Sequence, residues 1–318
     1  MKYMTKYLAL GLALVLCLGT LWGCGKQVDD EPSETPDPSA DNTSTDEELL
    51  PLTGSDTIEC SNGSVTLRFS RNENEHWKWK DDTSFPLDET YVTELLATAQ
   101  EIFALTPANL TGELSEYGLD STGKYLSLTS KDGKSVTYYL GNLTNDGCYY
   151  LRRADDAENK IYVAPVALTA QINRSIYDMA ALPRLSAIAA DNVKSISVST
   201  SGEAPVSVHL TPSGDGKWVA DTTDKTEAAQ ALIGALVKLE LLACVDYMPS
   251  AGAAAICGLD PAQLTLSVAY INSVGVESAL TLRVGTSRTT GYHAMVNEDP
   301  SIYAVGPDIV LAMSALVK

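Results

Sequence analysis

Basic residues are scarce in this chain. Lys and Arg together number 22 against 41 Asp and Glu, for a formal net charge of −19. So large an acidic excess leaves little to neutralise phosphates, so no nucleic-acid partner is expected. Histidine is rarer still: His76, His209 and His293 stand apart in the sequence. None has a second His or Cys at ligand spacing, so neither a zinc site nor any other cofactor is expected. Nucleotide-cradling and nucleophile-elbow motifs are missing too; there is no Walker loop, no Gly-x-Gly-x-x-Gly and no Gly-x-Ser-x-Gly. Beyond the first 22 residues no segment is long and apolar enough to span a bilayer.

What is present begins with an export pattern. Lys2 and Lys6 precede an uncharged run, Tyr7 to Trp22, rich in Leu, Ala, Val and Gly. A basic start followed by a short apolar core marks a secretory signal. The run ends in Leu21-Trp22-Gly23-Cys24, which resembles the lipobox of bacterial lipoproteins, although the bulky Trp22 is unusual there. The resemblance implies cleavage between Gly23 and Cys24 and lipidation of Cys24, so that residues 1–23 are a signal peptide. Several acyl chains would hold the protein at the membrane more firmly than one, which binds only reversibly. The next stretch, 24–57, is rich in Asp, Glu, Ser, Thr and Pro and carries Asp29, Asp30, Glu31, Glu34 and Asp37. Such a composition cannot bury enough surface to offset its ordering entropy, and reads as an extended acidic tether.

The rest divides into two similar series, 58–183 and 184–318. Each has a Trp-bearing strand (Trp79; Trp218) and an amphipathic helix (Asp88 to Leu105; Asp224 to Ala243). A Gly-Leu-Asp turn follows (Gly118, Leu119, Asp120; Gly258, Leu259, Asp260), then a strand ending in glycine (Gly141; Gly285) and an Ile-Tyr strand (Ile161-Tyr162; Ile302-Tyr303). Val92, Leu95, Leu96, Ala99, Ile102 and Phe103 form one helical stripe after a candidate cap at Asp88. Ala229, Leu232, Ile233, Leu236 and Leu239 form its counterpart, preceded by a capping-box-like Asp224 and Glu227. Lys131-Asp132-Gly133-Lys134 is a hairpin turn. Ala167 to Tyr177 reads as a short helix leading to a join at Leu182-Pro183. The expected class is α+β: two tandem repeats, each a mostly antiparallel sheet with one or two packed helices.

The Trp strand, the helix with paired apolar residues, Tyr117 to Asp120, the glycine-ended strand and the Ile-Tyr strand together resemble a family of bacterial envelope proteins. That family is catalogued as domain of unknown function 4340. The similarity covers most of residues 60 to 318 as two tandem copies, with Cys257 standing where the first copy has Tyr117. The family carries no established activity, so no catalytic residue can be transferred. Some members resemble accessory proteins encoded beside ABC transporters, which implies a context at a membrane complex.

Residues that could carry chemistry have plainer structural readings. Ser121-Thr122-Gly123-Lys124 matches the Ser-x-x-Lys of penicillin-binding enzymes, yet it precedes a strand instead of opening a helix and has no companion motif. Asp120 and Asp260 could be paired acid–base groups; the alternative is an Asx-type cap on a repeated turn, which the equal placement favours. Of six cysteines, Cys60, Cys148, Cys244 and Cys257 remain after export. Cys244 and Cys257 could close a short disulfide loop. Cys257 matches Tyr117, and Cys148 falls near the slot of Tyr292, which favours free, buried thiols. The expected function is therefore a non-catalytic, lipid-anchored envelope protein, facing outside the cytoplasm, with a binding or scaffolding role beside a membrane complex. The alternative is a solute-binding lipoprotein holding a small ligand between the two repeats.

Overall fold

The first strand, β1 (Ser55–Asn62), was not expected: its apolar marks are only Ile58 and Cys60. It starts three residues inside the stretch assigned to the tether, because Ser55 and Thr57 pair with Ser130 and Thr129. The computed structural model describes residues 54–318; Gly23, Cys24 and most of the expected tether lie outside them.

β1 opens an antiparallel meander with β2 (Thr66–Arg71) and β3 (Trp77–Trp79). Helix α1 (Glu89–Phe103) follows, capped as expected by the Asp88 carboxylate, which accepts from Thr90 N at 3.0 Å. Four strands complete the sheet: β4 (Lys124–Ser130), β5 (Ser135–Leu143), β6 (Tyr149–Arg153) and β7 (Tyr162–Val163). Their order is β3-β2-β1-β4-β5-β6-β7. Alternation sends Ile58, Phe69, Leu126, Leu128 and Leu151 to one face, where the α1 stripe Val92, Leu95, Ala99 and Ile102 covers them. Burial of this kind stabilises at about 25 cal/mol per Å² of apolar surface.

The expected helix Ala167 to Tyr177 is two pieces. Helix α2 (Val166–Ile172) stops, and a 3-10 turn (Ile176–Met179) restarts because Ser175 accepts from Asp178 N.

The second sheet contains β8 (Val193–Thr200), β9 (Ser207–Pro212), β10 (Trp218–Ala220) and the two-residue β11 (Thr223–Asp224). After helix α3 (Thr226–Val237) come β12 (Leu241–Asp246) and the one-turn helix α4 (Ala253–Ile256). The remaining elements are β13 (Leu264–Ile271), β14 (Glu277–Arg288), β15 (Gly291–Val296), β16 (Ile302–Val305) and helix α5 (Pro307–Leu316). The sheet order is β11-β10-β9-β8-β13-β14-β15-β16-β12. Without its two border strands, that is the same succession of neighbours as in the first sheet.

Three expectations fail here for physical reasons. The helix expected to reach Ala243 ends at Val237, and Leu241–Asp246 instead pairs with β16. The run Leu239 to Val245 satisfies both helical and strand periods, and pairing with β16 decides. Asp224 does not form a capping box with Glu227; it accepts from Thr226 N at 3.0 Å, while the cap position is Lys225. Trp79 is not the counterpart of Trp218. Trp77 is, since both open the third strand of their sheet, both are buried, and both anchor to the first residue of the following helix. Trp77 N donates to Glu89 Oε2 at 2.9 Å, and Trp218 N to Thr226 Oγ1 at 3.0 Å.

Phe85, 1% exposed, joins the two sheets. Its ring meets Trp79 edge-on at 5.5 Å, Tyr247 edge-on at 5.4 Å and Tyr177 at 6.2 Å. Tyr247 donates to Ser84 O at 3.0 Å, and Tyr177 to Asp246 at 3.2 Å. Such aromatic pairs add about 0.5–1.5 kcal/mol each beyond the area they bury.

Candidate functional site

The two Gly-Leu-Asp turns are built alike. A single turn of helix runs into a glycine with positive φ, 69° at Gly118 and 68° at Gly258. Gly118 N and Leu119 N return to Ser115 O and Leu114 O; Gly258 N and Leu259 N return to Ala255 O and Ala254 O. This is the left-handed C-terminal cap for which glycine is the default. Leu119 and Leu259, at 0% and 1% exposure, are the turn's apolar plugs.

Each turn presses on a glycine inside the neighbouring strand; β5 runs past Gly141 to Leu143 and β14 past Gly285 to Arg288, so neither strand ends at its glycine as expected. A Cβ on Gly141 would stand 2.1 Å from Tyr117 O, and one on Gly285 would stand 2.0 Å from Cys257 O. At these glycines the pairing slips. Leu140 opposes Leu151 but Leu143 opposes Tyr149; Val284 opposes Ala294 but Ser287 opposes Tyr292. Both strands therefore bulge where the turn's backbone crosses them. By this register Tyr149 matches Tyr292, so Cys148 matches Gly291 and not Tyr292 as expected. The Asx-type bond expected of Asp120 and Asp260 is absent among the described residues; both carboxylates are exposed and backbone bonds close the turns. Asp120 lines an open depression of about 600 Å³ with Glu113, Glu158 and Lys160.

The first turn also organises the sheet face opposite α1. Residues alternating with the core lie there in two rows. One row runs Thr66, Ser61, Tyr125, Tyr139, Arg152, and the other Arg68, Glu59, Ser127, Thr137. Arg152 Nε donates to Leu119 O at 2.8 Å while its guanidinium lies 4.6 Å from the centre of the Tyr139 ring. Tyr125, beside Tyr139, donates its phenol proton to Glu59, and Glu59 pairs with Arg68 at 3.0 Å. Burial, then the bond to Glu59, hold the Tyr125 phenol above its usual range. Ser127 and Thr137 hydroxyls bond each other at 2.8 Å. Contacts thus tie the turn to β6 and β5 through Arg152, and tie β4, β1 and β2 together through Tyr125, Glu59 and Arg68. Tyr150 extends the face, its ring 5.0 Å from that of Tyr117.

The corresponding positions of the second sheet are different. Ser197 and His209 replace Glu59 and Arg68, bonded at 2.8 Å, while Thr265, Arg283 and Met295 replace Tyr125, Tyr139 and Arg152. Part of that face is closed by Leu259, Met295 and Ile302, with Cys257 beside them.

That closure explains the cysteines. All four described cysteines are free. Cys244 belongs to the helix-side core and Cys257 to the cluster on the opposite face, so the loop disulfide cannot form. Burial pushes the Cys60 thiol up to about 12 and the Cys244 thiol up to about 11. Both are inert as nucleophiles near neutrality. Cys148 and Cys257 are half-buried rather than buried. The histidines stay apart, His76 on Glu89, His209 on Ser197 and His293 on Thr286. Among the described residues no group of three His, Cys, Asp or Glu could hold a metal ion. Ser121 takes a turn bond from Gly123 N, and Lys124 leans over the Tyr149 ring, so the two do not form a catalytic pair. No described helix is long and apolar enough to cross a membrane.

The structure is thus a sheet-dominated α+β protein with two antiparallel sheets and few helices. The family described as Domain of unknown function (DUF4340) matches residues 77–262, more than half of the chain, and the chain belongs to it. The match is a single stretch from β3 to the second Gly-Leu-Asp turn, where two copies had been expected. No curated protein and no solved structure matches.

Proposed function

We propose that this chain is a lipid-anchored envelope protein that binds a partner outside the cytoplasm through its open sheet face and has no catalytic role. The observation that carries this reading is the set of ordered side chains on the face opposite α1, where Arg68, Glu59 and Tyr125 fix one another and Arg152 is fixed by the Tyr139 ring and Leu119 O. Side chains held in place lose little entropy on binding, which favours a recognition surface. Phe85 fills the joint between the sheets, which supports contact at a face over a ligand held between them. The signal-like run, Gly23-Cys24 and the acidic stretch behind it fit an anchor and a tether of some reach. A place beside an ABC-type membrane transporter suits such a module.

We also infer that the two sheets descend from one duplicated unit. Support comes from the shared strand order, the paired bulge glycines and the equivalent Trp77 and Trp218 anchors.

The anchor is tested by growing cells with an alkyne fatty acid and reading label on the full chain. Label that disappears in Cys24→Ala supports the reading. Equal label in both, or none in either, refutes it. Crosslinking from Tyr139 in cells then tests the contact surface, a specific adduct being expected.

A further inference from the structure

We propose that the outer edge of β3 is a docking site for this chain's own acidic segment, Asp46 to Leu49, which adds to the sheet as a short antiparallel strand. That segment lies outside the described residues. The two sheets differ at this edge. In the second, the chain turns back after β10 and β11 closes the border. Trp218 O accepts from Lys225 N at 2.8 Å, and Ala220 pairs with Thr223. In the first, the chain leaves β3 for the joint at Phe85, and among the described residues no strand borders β3 on that side. Lys80 N donates to Arg68 O and Asn72 N to His76 O, so Lys78 and Ser70 are the hydrogen-bonded pair between them. The backbone groups of Trp77 and Trp79 therefore point away from β2. Glu89 takes Trp77 N, while Trp77 O and both backbone groups of Trp79 have no hydrogen-bond partner among the described residues. Such an edge is a template for another strand.

Charge and reach select the occupant. Lys78 and Lys80 alternate with the core residues Trp77 and Trp79, so both lie on the opposite face. Neither has an ion-pair partner among the described residues. Lysines on an edge deter most strands and favour an acidic one. Asp46 and Glu48 are two positions apart, which puts both on one face of a strand. Antiparallel to β3, Glu48 falls beside Lys78 and Asp46 beside Lys80, while Leu49 N meets Trp77 O and Glu47 meets the backbone of Trp79. The second sheet makes a like pairing at its border, where Asp224 of β11 stands 3.4 Å from the Lys217 ammonium. β1 and β3 start at the same end of the sheet, since Thr57, Ser70 and Lys78 share a row. From Leu49 to Ser55 the chain can span about 20 Å, more than the three strand spacings of about 4.8 Å each that it must cross. Pro51 and Gly54 in that connection suit a turn.

The test is hydrogen exchange of the Trp79 backbone amide in the full chain in detergent micelles. At low salt the unaltered chain should exchange it about tenfold or more slowly than a chain carrying Asp46→Lys and Glu48→Lys. Lys78→Glu with Lys80→Glu should release it equally, and combining the two pairs of reversals should restore protection. The Leu126 amide, inside the sheet between β1 and β5, should stay protected in every variant and so reports that the fold is intact. Equal exchange of Trp79 in the unaltered chain and in the Asp46→Lys, Glu48→Lys chain overturns the proposal. So does a folded combined variant that stays unprotected. Protection that grows with protein concentration also overturns it, and assigns the edge to a second copy of the chain. Lipid at Cys24 plays no part in this measurement, so the inference and the anchor reading fail separately.

Discussion

Arg152 reaches the carbonyl of Leu119 with its Nε at 2.8 Å, tying the buried plug of the first turn to the exposed side of strand β6. The second sheet has Met295 at that position and no such tie. The same guanidinium lies over Tyr139, so one side chain serves both the turn and the face.

Arg152→Met should therefore lower stability by about 1–3 kcal/mol, the range for a hydrogen bond to a charged group plus a ring contact. Urea unfolding measures this. A change below about 0.5 kcal/mol would show the tie to be incidental.

Gly141→Ala and Gly285→Ala should be among the most damaging alanine substitutions in the chain. Each new methyl would start about 2 Å from a backbone oxygen that no rotamer can move. The loss should lie at or above the upper end of the ~1–3 kcal/mol that overpacking costs. Gly133→Ala is the control, because its hairpin turn has nothing within 4 Å of the new atom and only its positive φ opposes the change. Melting temperatures should fall in that order.

Phe85→Ala empties the joint between the sheets and should cost about 3–5 kcal/mol. Tyr247→Phe removes only the bond to Ser84 O and should cost about 1 kcal/mol. If unfolding of Phe85→Ala splits into two transitions, Phe85 is what makes the two sheets unfold together.

Cys60 and Cys244 should resist alkylation at pH 8 in the folded chain and react in urea. Their proton is held more tightly folded than unfolded, the Cys60 thiol at about 12 against an ordinary 9.0. The resulting stability is complete below pH 9 and is lost as pH rises through the folded values. The Cys60 contribution is on the order of 4 kcal/mol. Cys60→Ser should flatten the decline between pH 9 and 12 in unfolding titrations.

Much of the fold could be read from periodicity. The stripe Val92, Leu95, Ala99 and Ile102 announces α1, and Ile302–Val305 and Pro307–Leu316 form the elements expected of them. β1 escaped notice because two apolar residues in eight leave no alternation to see. β12 was hidden by a run that suits either period. The Trp77 and Trp79 ambiguity is inherent in an alternating Trp-Lys-Trp, where a shift of two keeps the same face. The open face was invisible for a deeper reason. Arg68, Glu59, Tyr125, Tyr139 and Arg152 span 94 positions of sequence but only two adjacent rows of the sheet, and only the pairing register brings them together. Gly118 and Gly258 were visible as a repeated tripeptide, while the reason for Gly141 and Gly285 needed the crossing backbone.

Because each bulge glycine is approached most closely by a backbone carbonyl oxygen, the side chain of the residue carrying that oxygen is free to drift, and it is tyrosine in one place and cysteine in the other. Kinship in this family should thus outlast its spelling. Remote members would be recognised by two mutually dependent glycines, one ending a turn and one at the bulge of the strand beneath it, long after the letters between them have eroded.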